Sequence, residues 1–241
     1  MQGMQEEYFR FKQFSVIQDH VSMKVGTDAV LLGAWTEADS PQSILDIGTG
    51  TGIIALMMAQ KFSATVHAID IDAASSALAV RNFDAGPWRE RMFAHHTSLQ
   101  DFAKSTSLRF DLIVSNPPYF GHHKEVSPTA RYIARHADLL ADHDLADGIS
   151  RLLLPGGSCC LILPPQHARV FLKCARPFGL FPQRITHVRT LPEKPVKRWL
   201  MKLSNVLTEN HKEDELLIKT NKKPEFSQEF ITLTKPFYLN F

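Results

Sequence analysis

From Ser43 onward, short apolar runs alternate with stretches whose apolar positions recur at helical spacing. Ser43–Ile47 (SILDI) reads as a buried strand, followed by a glycine-rich turn and a helix to about Lys61. Thr65–Asp70 (TVHAID) reads as a second strand, with Asp72 placed to cap a helix running to about Asn82. Arg91–Thr97 and Phe110–Ser115 (FDLIVS) read as the third and fourth strands. Asp142–Leu154 is helical by its spacing, and Pro155-Gly156-Gly157 is expected to stop it. Ser158–Leu163 (SCCLIL) then reads as a fifth strand before a helix from about Gln166 to Arg176. This alternation predicts an α/β fold with a doubly wound, mostly parallel sheet. After Pro177 the pattern changes to two strand-like pieces, Arg184–Leu191 and Trp199–Leu207, expected to form an antiparallel hairpin at one sheet edge. From Glu209 on, mixed charges predict no particular element.

Composition adds mainly exclusions. A chain of 241 residues can bury a full α/β core, and its 44% apolar and 22% charged content is ordinary for a globular protein. A net charge of +2 does not by itself indicate a nucleic-acid partner. Met1–Phe14 carries Glu6 and Glu7 without an apolar core, so no signal peptide is read there. No apolar run approaches the roughly 20 residues of a membrane span. Cys159, Cys160 and Cys174 make no CxxC pair and are read as packing residues in a reducing cytoplasm. Metal binding is not expected: His95-His96 and His122-His123 are adjacent and diverge, and no HxxxH or Cys/His zinc spacing occurs. A GxSxG nucleophile elbow is absent as well.

Candidate chemistry sits in two strings. In Asp46-Ile47-Gly48-Thr49-Gly50-Thr51-Gly52 the glycines are evenly spaced, and Ile53 stands where a dinucleotide fingerprint needs glycine. Such a turn lets backbone approach an adenosyl cofactor that lacks a pyrophosphate. Asp46 can accept from that cofactor's ammonium or a bound water, and Asp70 at the next strand end can accept from both ribose hydroxyls. A tight turn without ligand is the alternative.

The second string, Asn116-Pro117-Pro118-Tyr119, follows a strand and so lies at the carboxyl end of the sheet. A planar amine is a poor nucleophile because its lone pair is delocalised. If Asn116 Oδ1 and the Pro117 carbonyl each accept one amine hydrogen, the nitrogen can pyramidalise toward a sulfonium methyl. Two prolines hold these acceptors extended before substrate arrives, and Tyr119 offers a ring on which a base can stack.

The two strings in this order resemble the class I, Rossmann-like amino-methyltransferases that use S-adenosyl-L-methionine. Phe9-Arg10-Phe11-Lys12-Gln13-Phe14 and the segment Met23 to Trp35 (MKVGTDAVLLGAW) are similar to the N-terminal signature of bacterial tRNA1(Val) (adenine(37)-N6)-methyltransferases. The likeness continues through Ala134-Arg135-His136 and Asp144-Leu145, over nearly the whole chain. It implies a seven-stranded sheet and one methyltransferase domain over 1–241: a cofactor-closing segment at 1–42, a core at 43–176, and a sheet-edge, RNA-binding segment at 177–241. By the same resemblance Lys24 and Thr27 close over the methionine end of the cofactor. Asp46, Gly48, Gly50 and Asp70 take cofactor positions, and Asn116 with Tyr119 take target-base positions. Many relatives carry an acid near the cofactor adenine; here Ser98 occupies that register, with Asp101 three residues on.

The expected product is N6-methyladenosine at position 37 of tRNA1(Val), made in the cytoplasm by a monomer. A glutamine-N5 protein methyltransferase, an rRNA guanine-N2 methyltransferase and a non-catalytic RNA-binding module are the alternatives. For tRNA, Arg184, Arg189, Lys194, Lys197, Arg198 and Lys202 form a candidate basic patch with His187 and Trp199 interleaved. Arg131, Arg135 and His122-His123 extend it. A solvated edge hairpin is the competing reading of that segment.

Overall fold

The computed structural model describes residues 7–18, 25–118, 142–220 and 225–241. A short hairpin, β1 (Tyr8–Arg10) with β2 (Ser15–Ile17), precedes helix α1 (Thr27–Trp35). Then follow β3 (Ser43–Ile47), α2 (Ile53–Lys61), β4 (Thr65–Asp70), α3 (Ala73–Asp84), β5 (Met92–His96), α4 (Leu99–Ser105) and β6 (Phe110–Ser115). The second half holds α5 (Asp142–Leu152), β7 (Leu153–Leu163), α6 (Pro165–Ala175), β8 (Phe181–Arg189), β9 (Arg198–Ser204), β10 (Lys212–Leu217) and α7 (Gln228–Thr234).

Eight strands share one sheet in the order β10-β8-β9-β7-β6-β3-β4-β5. All neighbours are parallel except β9, which runs antiparallel to both β7 and β8. The doubly wound, mostly parallel α/β class and the antiparallel hairpin are therefore present. The expected count of seven is corrected to eight, because β10 adds in parallel outside the hairpin. Pro155-Gly156-Gly157 does not end α5: the helix stops at Leu152 and these residues lie inside β7. Gly156 takes a left-handed φ of 79° where the β6–β7 register shifts, so the breaker is absorbed as an irregularity in a strand.

Side-chain alternation in the central strands builds two cores. Ile44 of β3 packs under α1, α2 and α7 with Leu32, Met57 and Phe230, whereas Leu45 and Ile47 face α4, α5 and α6 with Phe102, Ile149 and Phe171. Helix α2 is buried from Ile53 to Ala59, which is why its sequence is apolar all round. Residues far apart in sequence close the first core: the Lys12 ammonium donates to the carbonyls of Lys235 (2.6 Å) and Phe241 (2.8 Å). Phe11 stacks on Tyr238 at 5.9 Å between ring centroids. Asp46 lies opposite Ala68 and Val114, and Ile47 opposite Ser115, so the carboxyl ends of β3, β4 and β6 finish together.

Candidate active site at the carboxyl end of the sheet

The glycine turn leaves β3 with its first two amides held by β4: Gly48 and Thr49 both donate to the Ile69 carbonyl, at 2.9 and 3.1 Å. Gly48, Gly50 and Gly52 have φ of 70°, 56° and 82°, a region that side chains rarely adopt. Their surroundings differ. A Cβ at Gly48 or Gly50 meets nothing within 4 Å, whereas one at Gly52 would stand 2.6 Å from Phe83 Cε1 of α3. The first two glycines line open space and the third is a packing position. Gly52→Ala is accordingly expected to cost about 2 kcal/mol or more through strain and overpacking. Gly48→Ala meets no side chain and should weaken cofactor binding more than stability, a contrast that paired melting and calorimetric titrations will check.

Asp46 is fully buried beneath this turn. Its Oδ2 accepts from Thr49 Oγ1 at 2.6 Å and from the Ala55 amide at 3.2 Å, while Oδ1 has no hydrogen-bond partner. Desolvation by burial pushes its carboxyl up to about 7, against the pull of those two hydrogen bonds and with a smaller contribution from the Asp70 charge. A cation brought to Oδ1 would favour the ionised form, which is what an ammonium group supplies. Asp70 bridges two turns, its Oδ2 accepting from the Gly50 amide at 2.8 Å and its Oδ1 from the Asp72 amide at 2.9 Å. Asp72 caps α3 as expected, accepting from the amide and hydroxyl of Ser75. The orphaned Asp46 oxygen, the open space over Gly48 and Gly50 and the half-buried carboxylate of Asp70 together fit an adenosyl amino-acid cofactor.

Ser98 and Asp101 meet after β5, but in each other's service. Ser98 Oγ accepts from the Asp101 amide at 3.0 Å and donates to Asp101 Oδ2 at 2.7 Å, a reciprocal cap on α4. Thr27 is the exposed first residue of α1, whose Gly26 cap makes no side-chain bond. Lys24 lies outside the described residues, as do Tyr119, His122, His123, Arg131 and Arg135.

The register pair Ile47 and Ser115 ends β3 and β6 side by side, so that Gly48 and Asn116 are the residues that follow two adjoining strand ends. Ser115 Oγ locks that end by donating to the Ile47 carbonyl at 2.8 Å. Asn116 Oδ1 is buried and has no hydrogen-bond partner among the described residues, and Pro117 after it is buried too. Buried acceptors are nearly always satisfied. Of the three buried side-chain oxygens without a partner among the described residues, Asp46 Oδ1 and Asn116 Oδ1 lie at these adjacent strand ends, and the third, Gln60 Oε1, lies away from them on α2.

Asn82 is a residue that sequence reading missed. Fully buried on α3, it donates to the carbonyls of Ile17 and Thr51 and accepts from the Ile17 amide. It thereby ties the glycine turn to the N-terminal hairpin. Gln18 extends the tie by accepting from the Val25 amide ahead of α1. An amide inside an apolar helix was the only signal available for Asn82.

The candidate basic patch is not brought together on one face. Arg184 and Lys202 are register partners and lie on the α1 side, where Arg184 sits over Trp35 and pairs with Glu37 and Asp214. Arg189 lies on the opposite face with His187 and Trp199, paired with Glu215, and Arg198 pairs with Asp28 at 2.6 Å. Lys194 and Lys197 are exposed and have no ion-pair partner among the described residues. The neutralising acids Glu213, Asp214 and Glu215 come from β10, the strand that sequence did not anticipate.

Cys159 and Cys160 are buried free thiols on β7, consistent with packing. Among the described residues no helix is long and apolar enough to cross a membrane, and no three His, Cys, Asp or Glu side chains are grouped to hold a metal.

Comparison with known proteins adds sequence likeness to this geometry. Residues 20–143 match the family described as "Methyltransferase small domain". A tRNA1(Val) (adenine(37)-N6)-methyltransferase of Parabacteroides distasonis is 41% identical over 236 residues, 98% of this chain and 99% of that relative. One from Phocaeicola vulgatus is 44% identical over 238 residues, 98% of this chain and the whole of that relative. Among solved structures, a predicted O-methyltransferase from Agrobacterium tumefaciens superposes with a TM-score of 0.68 over 86% of this chain and 95% of its own. At 17% identity that match speaks for the shared fold alone.

Proposed function

The chain belongs to the tRNA1(Val) (adenine(37)-N6)-methyltransferase family, and from that premise we propose that Asn116, Pro117 and Tyr119 carry the transfer to adenosine 37 of tRNA1(Val). The protein is an S-adenosyl-L-methionine-dependent tRNA (adenine-N6)-methyltransferase. The observation that carries the site assignment is the orphaned Oδ1 of Asn116 at the strand end adjoining the glycine turn.

Residues that would hold the cofactor are Asp46 at the ammonium, Asp70 at the ribose, and the backbone of Gly48 and Gly50 along its length. Lys24 and Thr27 would close over the methionine end, and the Ser98–Asp101 corner would lie at the adenine. When bound, S-adenosyl-L-methionine supplies an electrophilic methyl group. The protein's part is to prepare the nucleophile. Asn116 Oδ1 and the Pro117 carbonyl accept the two hydrogens of the adenine amine, which localises the lone pair and aims it toward the glycine turn. These acceptors are fixed in the fold, so they gain strength as positive charge develops on the nitrogen. One amine proton becomes acidic only then and passes to water, so a strong base is not needed. Tyr119 holds the base by stacking.

Unmodified tRNA incubated with enzyme and labelled cofactor, followed by nuclease mapping and nucleoside mass spectrometry, is expected to yield N6-methyladenosine 3′ of the anticodon. Appearance of N2-methylguanosine would keep the corner's chemistry and overturn the substrate. Labelling of a release factor in place of RNA would favour the glutamine reading.

A further inference from the structure

We infer that a cleft of about 640 Å³ at the carboxyl end of β8 and the amino end of β9 is a second nucleobase pocket, holding an unstacked nucleotide that flanks the methylated adenosine. The inference rests on tRNA being the substrate and extends the footprint beyond the catalytic corner. Its walls include Phe9, Phe226 and Tyr238, and its rim carries Arg10, Lys197 and Lys219. The size lies within the range of sites that bury a small organic ligand.

Three observations point to a nucleotide. First, these cations are not consumed by the fold. Arg10 and Lys197 are exposed and Lys219 partly so, and none has a carboxylate partner among the described residues. Elsewhere on the same strands the chain pairs its cations: Arg184 with Asp214, Arg189 with Glu215, and Arg198, inside this very cleft, with Asp28. Among the described residues the three cations at the mouth of the cleft have no carboxylate partner, which leaves them for an external anion.

Second, the aromatic wall is rigid and open. Tyr238 stacks on Phe11 with 17° between planes, no hydrogen bond of its hydroxyl is seen among the described residues, and burial raises its phenol above the usual range. Phe226 is 39% exposed, with the Lys219 ammonium 5.6 Å from its ring centre. A ring to stack on, a hydroxyl to read a base edge and cations for the flanking phosphates form the combination by which single-stranded RNA is held.

Third, the cleft lies toward the same end of the sheet as Asn116. Lys197 and Arg198 begin the antiparallel β9, two strands from β6, and Thr190 follows β8, three strands away. Asn116 is level with Leu200 and Thr186, so Lys197 and Thr190 lie three and four residues further along. Ordinary strand spacing and rise then place the pocket about 14–20 Å from Asn116. Thr27, proposed at the cofactor, lines the same cleft.

The test compares tRNA methylation kinetics of wild type with Arg10→Gln/Lys197→Gln/Lys219→Gln. The triple variant is expected to raise KM for tRNA at least tenfold. The slope of log affinity against log salt should flatten by about 2, at roughly 0.7 per phosphate contact in single-stranded RNA. Unchanged cofactor affinity by calorimetry will show that the fold is intact. Lys104→Gln/Arg109→Gln, which removes two exposed cations from α4 and the amino end of β6, should leave KM as it is. Zero-length ultraviolet cross-linking of unmodified tRNA should mark Tyr238 or Phe226. A triple variant with wild-type KM and salt slope, in an assay where wild type methylates tRNA, overturns the pocket and leaves the activity standing. Wild type that methylates no tRNA overturns the substrate reading, and the pocket with it.

Discussion

Asn116→Ala is expected to slow methyl transfer in single-turnover experiments by about 10²–10³, the usual penalty for deleting one preorganised polar group from an active site. The structure makes the expectation specific. Oδ1 of Asn116 is buried and unpartnered among the described residues, and the two prolines that follow restrict the backbone that carries it. Its contribution grows as charge develops on the amine nitrogen, so the loss falls on the chemical step. Cofactor affinity should barely change, because the carboxamide faces the base. Stability should not fall as it would for a satisfied buried amide, since the bond being removed is one that the free protein does not make. N6-methyladenosine formed at near wild-type rate by this variant would remove the proposed mechanism.

Asp70→Ala should raise the cofactor dissociation constant at least tenfold, since hydrogen bonds to charged groups are worth about 1.5–3 kcal/mol each. The geometry adds a second source of loss: Asp70 also holds the amides of Gly50 and Asp72, so the glycine turn loosens with it. The two contributions separate with a cofactor analogue lacking the ribose 2′-hydroxyl. Wild type should discriminate against that analogue, and the variant should bind it and the parent cofactor alike. Equal discrimination by both proteins in calorimetric titration would leave Asp70 as a turn clasp only.

Legibility in the sequence followed the range of the interactions involved. The parallel core from Ser43 to Leu163 is built of buried strands and capped helices whose signals lie within a few residues, and Phe110–Ser115 begins and ends where its apolar run does. The geometry of the glycine turn was legible for the same reason, since it depends on residues that adjoin in sequence. β10 was not, because KEDELL is an edge strand whose charges are chosen by β8 rather than by a core face. The basic patch failed on the same point. Six cations within 19 positions look like one surface, but strand alternation divides them between two faces, and the acids of Arg184, Arg189 and Arg198 lie 26–170 positions away. Asn82 went unseen because its partners lie 65 and 31 positions away.

The bonds from Lys12 to Lys235 and Phe241 span 223 and 229 positions, and they impose an order on how the molecule comes into being. The glycine turn needs only β3, α2 and β4, which lie within 28 residues of one another. Closing so short a loop costs little conformational entropy, and contacts of this range form readily. The aromatic cleft needs Phe9 and Tyr238 side by side, and so cannot exist until nearly all of these 241 residues have been synthesised and docked. A nascent chain thus acquires the frame of its cofactor turn long before it acquires a wall against which to hold RNA.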